Sequence, residues 1–251
     1  MRIIAFTNQK GGVAKSTSTI NIAAILGQEG KNVLVIDIDP QGNTTIGLGV
    51  NADKLDNTIY ECMVGDVTLN KAILKTGFLN VDIVPSNIKL ANAELEIANI
   101  IGREKILNDL VKENNLDYDY ILIDFPPSLG LLTINGLGVA GEVIIPIDVG
   151  IFSVIGINLL LKKIAEVKHK INPGLKNSKV LLTRADKRTN IAKIIKDHIE
   201  EIFGDNFFET VIHQNVKIGE AQSAKKPITY FDPNCRGALE YKALTKEIEK
   251  G

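Results

Sequence analysis

The stretch that most constrains this chain is Lys10-Gly11-Gly12-Val13-Ala14-Lys15-Ser16-Thr17. Ahead of it stands a short apolar run, Ile3-Ile4-Ala5-Phe6, which reads as a buried strand. Behind it Ile20, Ala23, Ala24 and Gly27 recur at helical spacing. Strand, glycine-bearing loop, lysine, hydroxyl residue and helix together make a phosphate-binding loop. Its backbone N–H groups and the following helix N-terminus converge on phosphate oxygens. In such a loop Lys15 neutralises the β- and γ-phosphates and the Ser16 hydroxyl takes a Mg²⁺ position. Gly11, Gly12, Val13, Ala14 and Thr17 complete the cradle. The spacing departs from G-x-x-x-x-G-K-[ST] twice, with Gln9 at the first glycine and Ala14 at the last. Ala14 is expected near positive φ, where a Cβ costs on the order of 1 kcal/mol. A Gly- and Lys-rich turn joining a strand to a helix is the plain alternative for these residues alone.

Two further apolar runs end in a carboxylate. Lys31 to Asp37 reads as a strand, followed by the loop Ile38-Asp39-Pro40-Gln41-Gly42-Asn43. Tyr118 to Asp124 reads as a central buried strand that carries one carboxylate to a metal, followed by Phe125-Pro126-Pro127-Ser128-Leu129-Gly130. In open parallel sheets the C-terminal edge of the strands is where ligands bind. More strands are expected at Leu79–Val84, Glu142–Ile147 and Lys179–Thr183. Helices are expected over Ile88–Ile100 and Arg103–Glu113, through Leu160, Ile164, Val167 and Ile171, and from Thr189 to Phe203. His198 lies on the apolar stripe of the last and reads as a packed side chain. This alternation predicts an α/β chain with a mostly parallel, helix-covered sheet and one domain over residues 1–251. Residues 44–78 carry short helical patches, Thr58–Val64 and Leu69–Leu74, and no visible chemistry.

Composition excludes several classes. With 251 residues, 45% of them hydrophobic and 24% charged, the chain can bury a full α/β core without disulfides. Cys62 and Cys235 are far apart and form no C-x-x-C, which fits a reducing cytoplasm. No apolar run approaches the ~18–20 residues of a membrane span, and the N-terminus enters a strand without a signal peptide. The formal net charge of −1 announces no nucleic-acid partner, although residues 176–251 carry a net +3 and the remainder −4.

The extra lysine sharpens the reading. Lys10-Gly-Gly-Val-x-Lys15-Ser16-Thr17 resembles the deviant Walker A loop of the ParA/MinD class of ATPases. Asp37-x-Asp39-Pro-Gln-Gly-Asn43 resembles the switch I segment of ParA proteins, and Asp124-Phe-Pro-Pro-Ser-Leu-Gly130 resembles their switch II. Asn215 to Ala221, with Lys226-Pro227-Ile228, resembles a late ParA region. The similarity spans nearly the whole chain and is strongest to short, Soj-type chromosomal proteins without an N-terminal helix-turn-helix extension. The resemblance implies a three-layer α/β/α P-loop NTPase that binds ATP and Mg²⁺. It implies an ATP-dependent homodimer in which Lys10 reaches the partner subunit's phosphates. Lys15 and Asp39 join Lys10 as catalytic residues, with Asp39 positioning the attacking water; Ser16, Asp37 and Asp124 organise the metal. Arg188, Lys217, Lys225 and Lys226 are the implied contacts to nonspecific double-stranded DNA. A ParB/Spo0J-type centromere-binding protein is the implied stimulator of slow hydrolysis. The implied location is the cytoplasm, on the nucleoid and off the membrane.

Rival readings rest on named residues. A MinD-like ATPase that positions cell division calls for a basic amphipathic C-terminal helix, whereas Lys242 to Lys250 is short and evenly charged. An iron–sulfur carrier calls for paired cysteines, which are missing. A dethiobiotin-synthetase-type ligase shares the loop but not the D-x-D-P-Q-G-N segment. A partner-binding relative that does not hydrolyse ATP is the reading that Ala14 leaves open.

Overall fold

A computed structural model describes residues 1–149, 151–186, 197 and 199–250, without the side chains of 151–156 and 177. The apolar runs form a seven-stranded sheet: β1 (Arg2–Phe6), β2 (Val33–Asp37), β3 (Leu74–Lys75), β4 (Val81–Val84), β5 (Tyr120–Asp124), β6 (Glu142–Asp148) and β7 (Asn177–Thr183). Their order is β3-β4-β2-β5-β1-β6-β7. Every pairing is parallel except the antiparallel edge pair β3–β4. All five residues of β2 and of β5 are buried, as expected where helices cover both faces of a parallel sheet.

Side-chain alternation splits the interior into two cores. Ile4, Phe6, Val33, Val35 and Leu122 face one side. There they meet α1 (Lys15–Gln28) and α11 (Arg236–Lys250), through Ile22, Ile25, Leu26, Tyr241 and Leu244. Ala5, Leu34, Ile36, Ile121 and Ile123 face the other side. That side is covered by α3 (Ile59–Val64), α5 (Leu90–Glu96), α6 (Ile106–Glu113), α7 (Leu131–Val139) and α8 (Ile151–Lys170). Two helices of a single turn or so, α2 (Asn43–Gly47) and α4 (Leu69–Ala72), and two late ones, α9 (Val216–Ser223) and α10 (Ile228–Phe231), also lie among the described residues. The three-layer α/β/α expectation is met.

Register places the chemistry. Phe6 of β1 lies opposite Asp124 of β5, and Asp124 opposite Asp37 of β2. Three adjacent strand ends therefore deliver the phosphate loop and two carboxylates side by side.

Some boundaries differ from the sequence reading. Leu69–Leu74 is helical only to Ala72, after which Leu74–Lys75 pairs with β4 as an edge strand. The Thr76 hydroxyl donates to the Val81 carbonyl at 2.6 Å and closes that hairpin. Ile88–Ile100 shortens to α5 plus one 3₁₀ turn, Ile97–Asn99. Arg188, His198 and most of the expected helix from Thr189 lie outside the described residues. Among the described residues no helix is long and apolar enough to cross a membrane. The C-terminal helix spends its apolar face on the core.

Replacement of Ile25, 1% exposed between α1 and the sheet, tests this packing. Ile25→Ala should lower the unfolding free energy in urea by about 2–5 kcal/mol, and a loss under about 1 kcal/mol would contradict the burial.

Candidate functional site

The loop after β1 turns twice through left-handed backbone, at Gly12 (φ 75°) and Ala14 (φ 66°). The expectation for Ala14 is met. A residue with a Cβ occupies the position where glycine costs least. The Ala14 carbonyl accepts from the Ser18 N–H at 2.9 Å, so α1 starts directly from this turn. No side chain caps α1 and its first turn holds no acidic residue. The unpaired N–H groups and the positive end of the helix dipole are left for an anionic ligand. Nothing lies within 4 Å of where a Cβ on Gly11 would stand, so this part of the cradle is open.

Lys15 is buried, 6% exposed, and its Nζ lies 3.4 Å from the Lys10 carbonyl. Burial lowers its pKa, opposed by the charges of Asp124 and Asp39. A buried ammonium without full compensation is an incomplete site, and a polyphosphate supplies the missing charge.

Asp37 and Asp124 are fully buried at neighbouring strand ends. Asp37 Oδ1 accepts from the Asp39 N–H at 3.1 Å, and Oδ2 from the Thr45 N–H and hydroxyl at 2.9 and 2.7 Å. Both oxygens are thus engaged by the turn that follows β2. Asp124 Oδ2 accepts from the Thr44 hydroxyl at 2.7 Å, whereas Oδ1 is buried with no hydrogen-bond partner. Burial raises the pKa of both acids; at Asp37 the charge of Asp124 adds to it, and at Asp124 the Ser16 hydroxyl opposes it first.

A cation fits this donor set. The orphaned Asp124 oxygen and the Ser16 hydroxyl offer hard oxygen ligands. Among the described residues no group of three or more His, Cys, Asp and Glu could hold a metal alone. Mg²⁺ needs only one or two protein oxygens and completes its shell with water and phosphate. Asp37 also fixes the Asp39–Thr45 turn through these bonds, and its Oδ1, with a single donor, keeps acceptor capacity.

Asp39 is 5% exposed, and its Oδ1 accepts from the Gln41 N–H at 3.0 Å. Burial raises its pKa, opposed by that N–H and then by Lys15. It lines a cleft of about 680 Å³ with Gly12, Lys15, Ser16, Arg184 and Asn215, a volume in the range of small-molecule sites. Lys10 leans out of the loop, its Nζ 2.7 Å from Asp148 at the end of β6. Gly11, Gly12, Ala14, Lys15, Ser16, Thr17 and Asp39 all border the cleft, while Val13 is buried beneath it.

Of the implied DNA contacts, Lys217, Lys225 and Lys226 are described, and none of the three lines this cleft. Lys217 opens α9, where the Asn215 side chain caps its N–H, and its Nζ sits 2.8 Å from Glu220. Lys225 and Lys226 are exposed just past α9. Lys225 also borders a second cleft, beside Pro40, Gln41 and Ser86.

Several residues of the site escaped the sequence reading. Thr44 and Thr45, which hold the two buried acids, stand immediately after the D-x-D-P-Q-G-N segment, and that adjacency was the available signal. Arg184 donates to the Gly12 carbonyl and Thr183 to the Val13 carbonyl. Both are distant in sequence from the loop, and no local pattern marks them. Gln222 donates to the Thr17 hydroxyl at 2.7 Å, tying α9 to the loop.

Comparison with known proteins gives concordant results. The family profile of an AAA domain matches residues 1–177. The sporulation initiation inhibitor protein Soj of Bacillus subtilis is 42% identical over 98% of this chain and 98% of its own length. The chromosome-partitioning ATPase Soj of Treponema pallidum is 39% identical over 98% and 96%. Among solved structures, cobyrinic acid a,c-diamide synthase from Mycobacterium smegmatis with bound ADP and magnesium superimposes with a TM-score of 0.83. It is 33% identical over 100% of this chain and 94% of that one.

The left-handed Ala14 yields a prediction. Ala14→Gly should keep ADP affinity and the melting temperature. Ala14→Val should lower both, because a β-branched residue at positive φ is a steric outlier. Equal behaviour of the two variants in calorimetry would mean that the turn does not constrain the cradle.

Proposed function

The chain belongs to the Soj/ParA family of partition ATPases, and on that premise we propose that it is an ATP- and Mg²⁺-dependent switch that segregates DNA. It is an ATPase with the family's nucleotide cleft. The observation that carries this reading is the buried convergence of Lys15, Asp124 with its orphaned oxygen, and Asp39 beneath an uncapped helix N-terminus. Such a constellation is built to complete itself with a polyphosphate and a divalent cation.

Mg²⁺, when bound, neutralises charge that develops on the phosphate oxygens. The chain's own groups do the rest. The loop N–H groups and Lys15 grip the phosphates and hold them in line. Asp124 and the Ser16 hydroxyl hold the cation. Asp39, fixed by the Gln41 N–H, orients the attacking water, a task that needs position more than basicity. Asp37 keeps the Asp39–Thr45 turn in place. Partition proteins of this family work through dimers and partner proteins; the proposed dimer is an ATP sandwich in which Lys10 leaves Asp148 for the second subunit's nucleotide.

DNA and the stimulating partner complete the proposal. Arg188, Lys217, Lys225 and Lys226 contact backbone phosphates without reading bases, and dimerisation doubles the patch. A ParB/Spo0J-type protein accelerates hydrolysis and releases the subunits from the nucleoid. Lys225 and Lys226 are exposed, as a contact to a phosphate backbone requires.

Two experiments test these steps. Asp39→Ala should bind ATP, dimerise and stay on DNA while turnover falls by about a hundredfold or more. Normal turnover in that variant would assign the water to another group. Arg188→Glu and Lys226→Glu should weaken binding to all DNA sequences alike. Each should also lower the slope of log affinity against log salt by about one; a loss restricted to one sequence would indicate base recognition.

A further inference from the structure

The C-terminal end of β7 touches the phosphate loop at two successive carbonyls. The Thr183 hydroxyl lies 3.0 Å from the Val13 carbonyl, a position it shares with the Ile147 carbonyl, and the Arg184 guanidinium donates to the Gly12 carbonyl at 2.8 Å. In a planar trans peptide the C=O and the N–H point in opposite directions. Fixing the Gly12 carbonyl therefore fixes the direction of the Val13 N–H. Fixing the Val13 carbonyl fixes that of the Ala14 N–H. With both carbonyls drawn toward β7, these two N–H groups are turned to the opposite side of their peptides, away from β7.

Arg184 bears the cost of this arrangement. It sits at φ 53°, left-handed backbone that a long L side chain adopts at a cost of roughly 1–2 kcal/mol. Such strain persists only where the surroundings determine it from several sides. Here Thr183 is tied to the loop, while the Ala185 N–H donates to the Ile212 carbonyl at 3.3 Å and the Gln214 N–H to the Ala185 carbonyl at 3.0 Å. Both flanks of Arg184 are held, and its guanidinium reaches the Gly12 carbonyl. A loop that lacks glycine at its last position, and has glutamine at its first, gains an external brace in this way.

We propose that Arg184 is a positioning residue for nucleotide binding: with Thr183, it clamps the Gly12 and Val13 carbonyls so that the loop N–H groups are pre-aimed at the phosphates. This rests on the nucleotide-site reading given above. The clamp acts on the cradle and not on the terminal phosphate, so it serves ADP and ATP alike.

The test compares wild type, Arg184→Met, Arg184→Lys and Thr183→Val by calorimetric titration of ADP and of a nonhydrolysable ATP analogue with Mg²⁺, alongside thermal melts without nucleotide. Wild-type binding is the control for the site itself; if wild type binds neither nucleotide, the site assignment fails, and the clamp with it. Given wild-type binding, Arg184→Met should weaken both nucleotides by a similar factor, about tenfold, as expected when an N–H is misdirected from a charged acceptor. Arg184→Lys, which keeps a donor of similar reach, should recover most of that affinity. Thr183→Val, which changes no charge, should weaken both nucleotides in the same direction. Wild-type affinity in Arg184→Met overturns the clamp, whether or not its melting temperature falls. Loss for the ATP analogue with ADP unaffected also overturns it, because that pattern belongs to direct contact with the terminal phosphate. A lysine variant as weak as the methionine one contradicts the hydrogen bond as the cause.

Discussion

The register of three parallel strands is the constraint on which everything else depends. With Phe6, Asp124 and Asp37 level across β1, β5 and β2, the phosphate loop and two buried acids share one edge of the sheet. A shift of one residue in β5 would turn Asp124 to the opposite face and lose the site, because side chains alternate along a strand. That register is secured from both sides: Ile121 and Ile123 bury into one core, Tyr120 and Leu122 into the other. Packing on two faces thus sets the position of a single carboxylate oxygen.

The resulting centre is poor in compensation when it stands alone. Asp124 keeps a buried oxygen without a partner, Lys15 is desolvated, and α1 begins without a cap. Each of these is unfavourable in a dry interior and each is relieved by a ligand that is anionic at the loop and cationic at the acids. The Lys10–Asp148 pair is of a different type. It is partly solvated, with side chains 42% and 22% exposed, and pairs of that kind contribute about 0–1 kcal/mol. Its strength is no obstacle to Lys10 moving to another acceptor.

Much of this was legible in the sequence because the signals are local. The apolar runs ending in Asp37 and Asp124 specified their strands, and the loop spacing specified Lys15, Ser16 and the left-handed turn at Ala14. The α/β class and the two-sided sheet followed from the same runs. What was not legible depends on contacts between distant segments. Thr183 and Arg184 meet Gly12 and Val13 across 170 or more positions, and no periodicity records such a meeting. The short edge strand Leu74–Lys75 was masked by an apolar patch that fits a helix as well as a strand. Thr44 and Thr45 open a stretch whose sequence shows no chemistry of its own; only the fold brings their hydroxyls to two buried acids.

The central claim is that nucleotide occupancy of this cleft sets the assembly state of the chain. Light-scattering mass in the presence of Mg²⁺, measured without nucleotide, with ADP and with ATP at saturating concentration, tests it most directly. The account predicts a monomer without nucleotide and with ADP, and a doubled mass with ATP alone. A protein that binds ATP yet keeps one mass in all three conditions would contradict it.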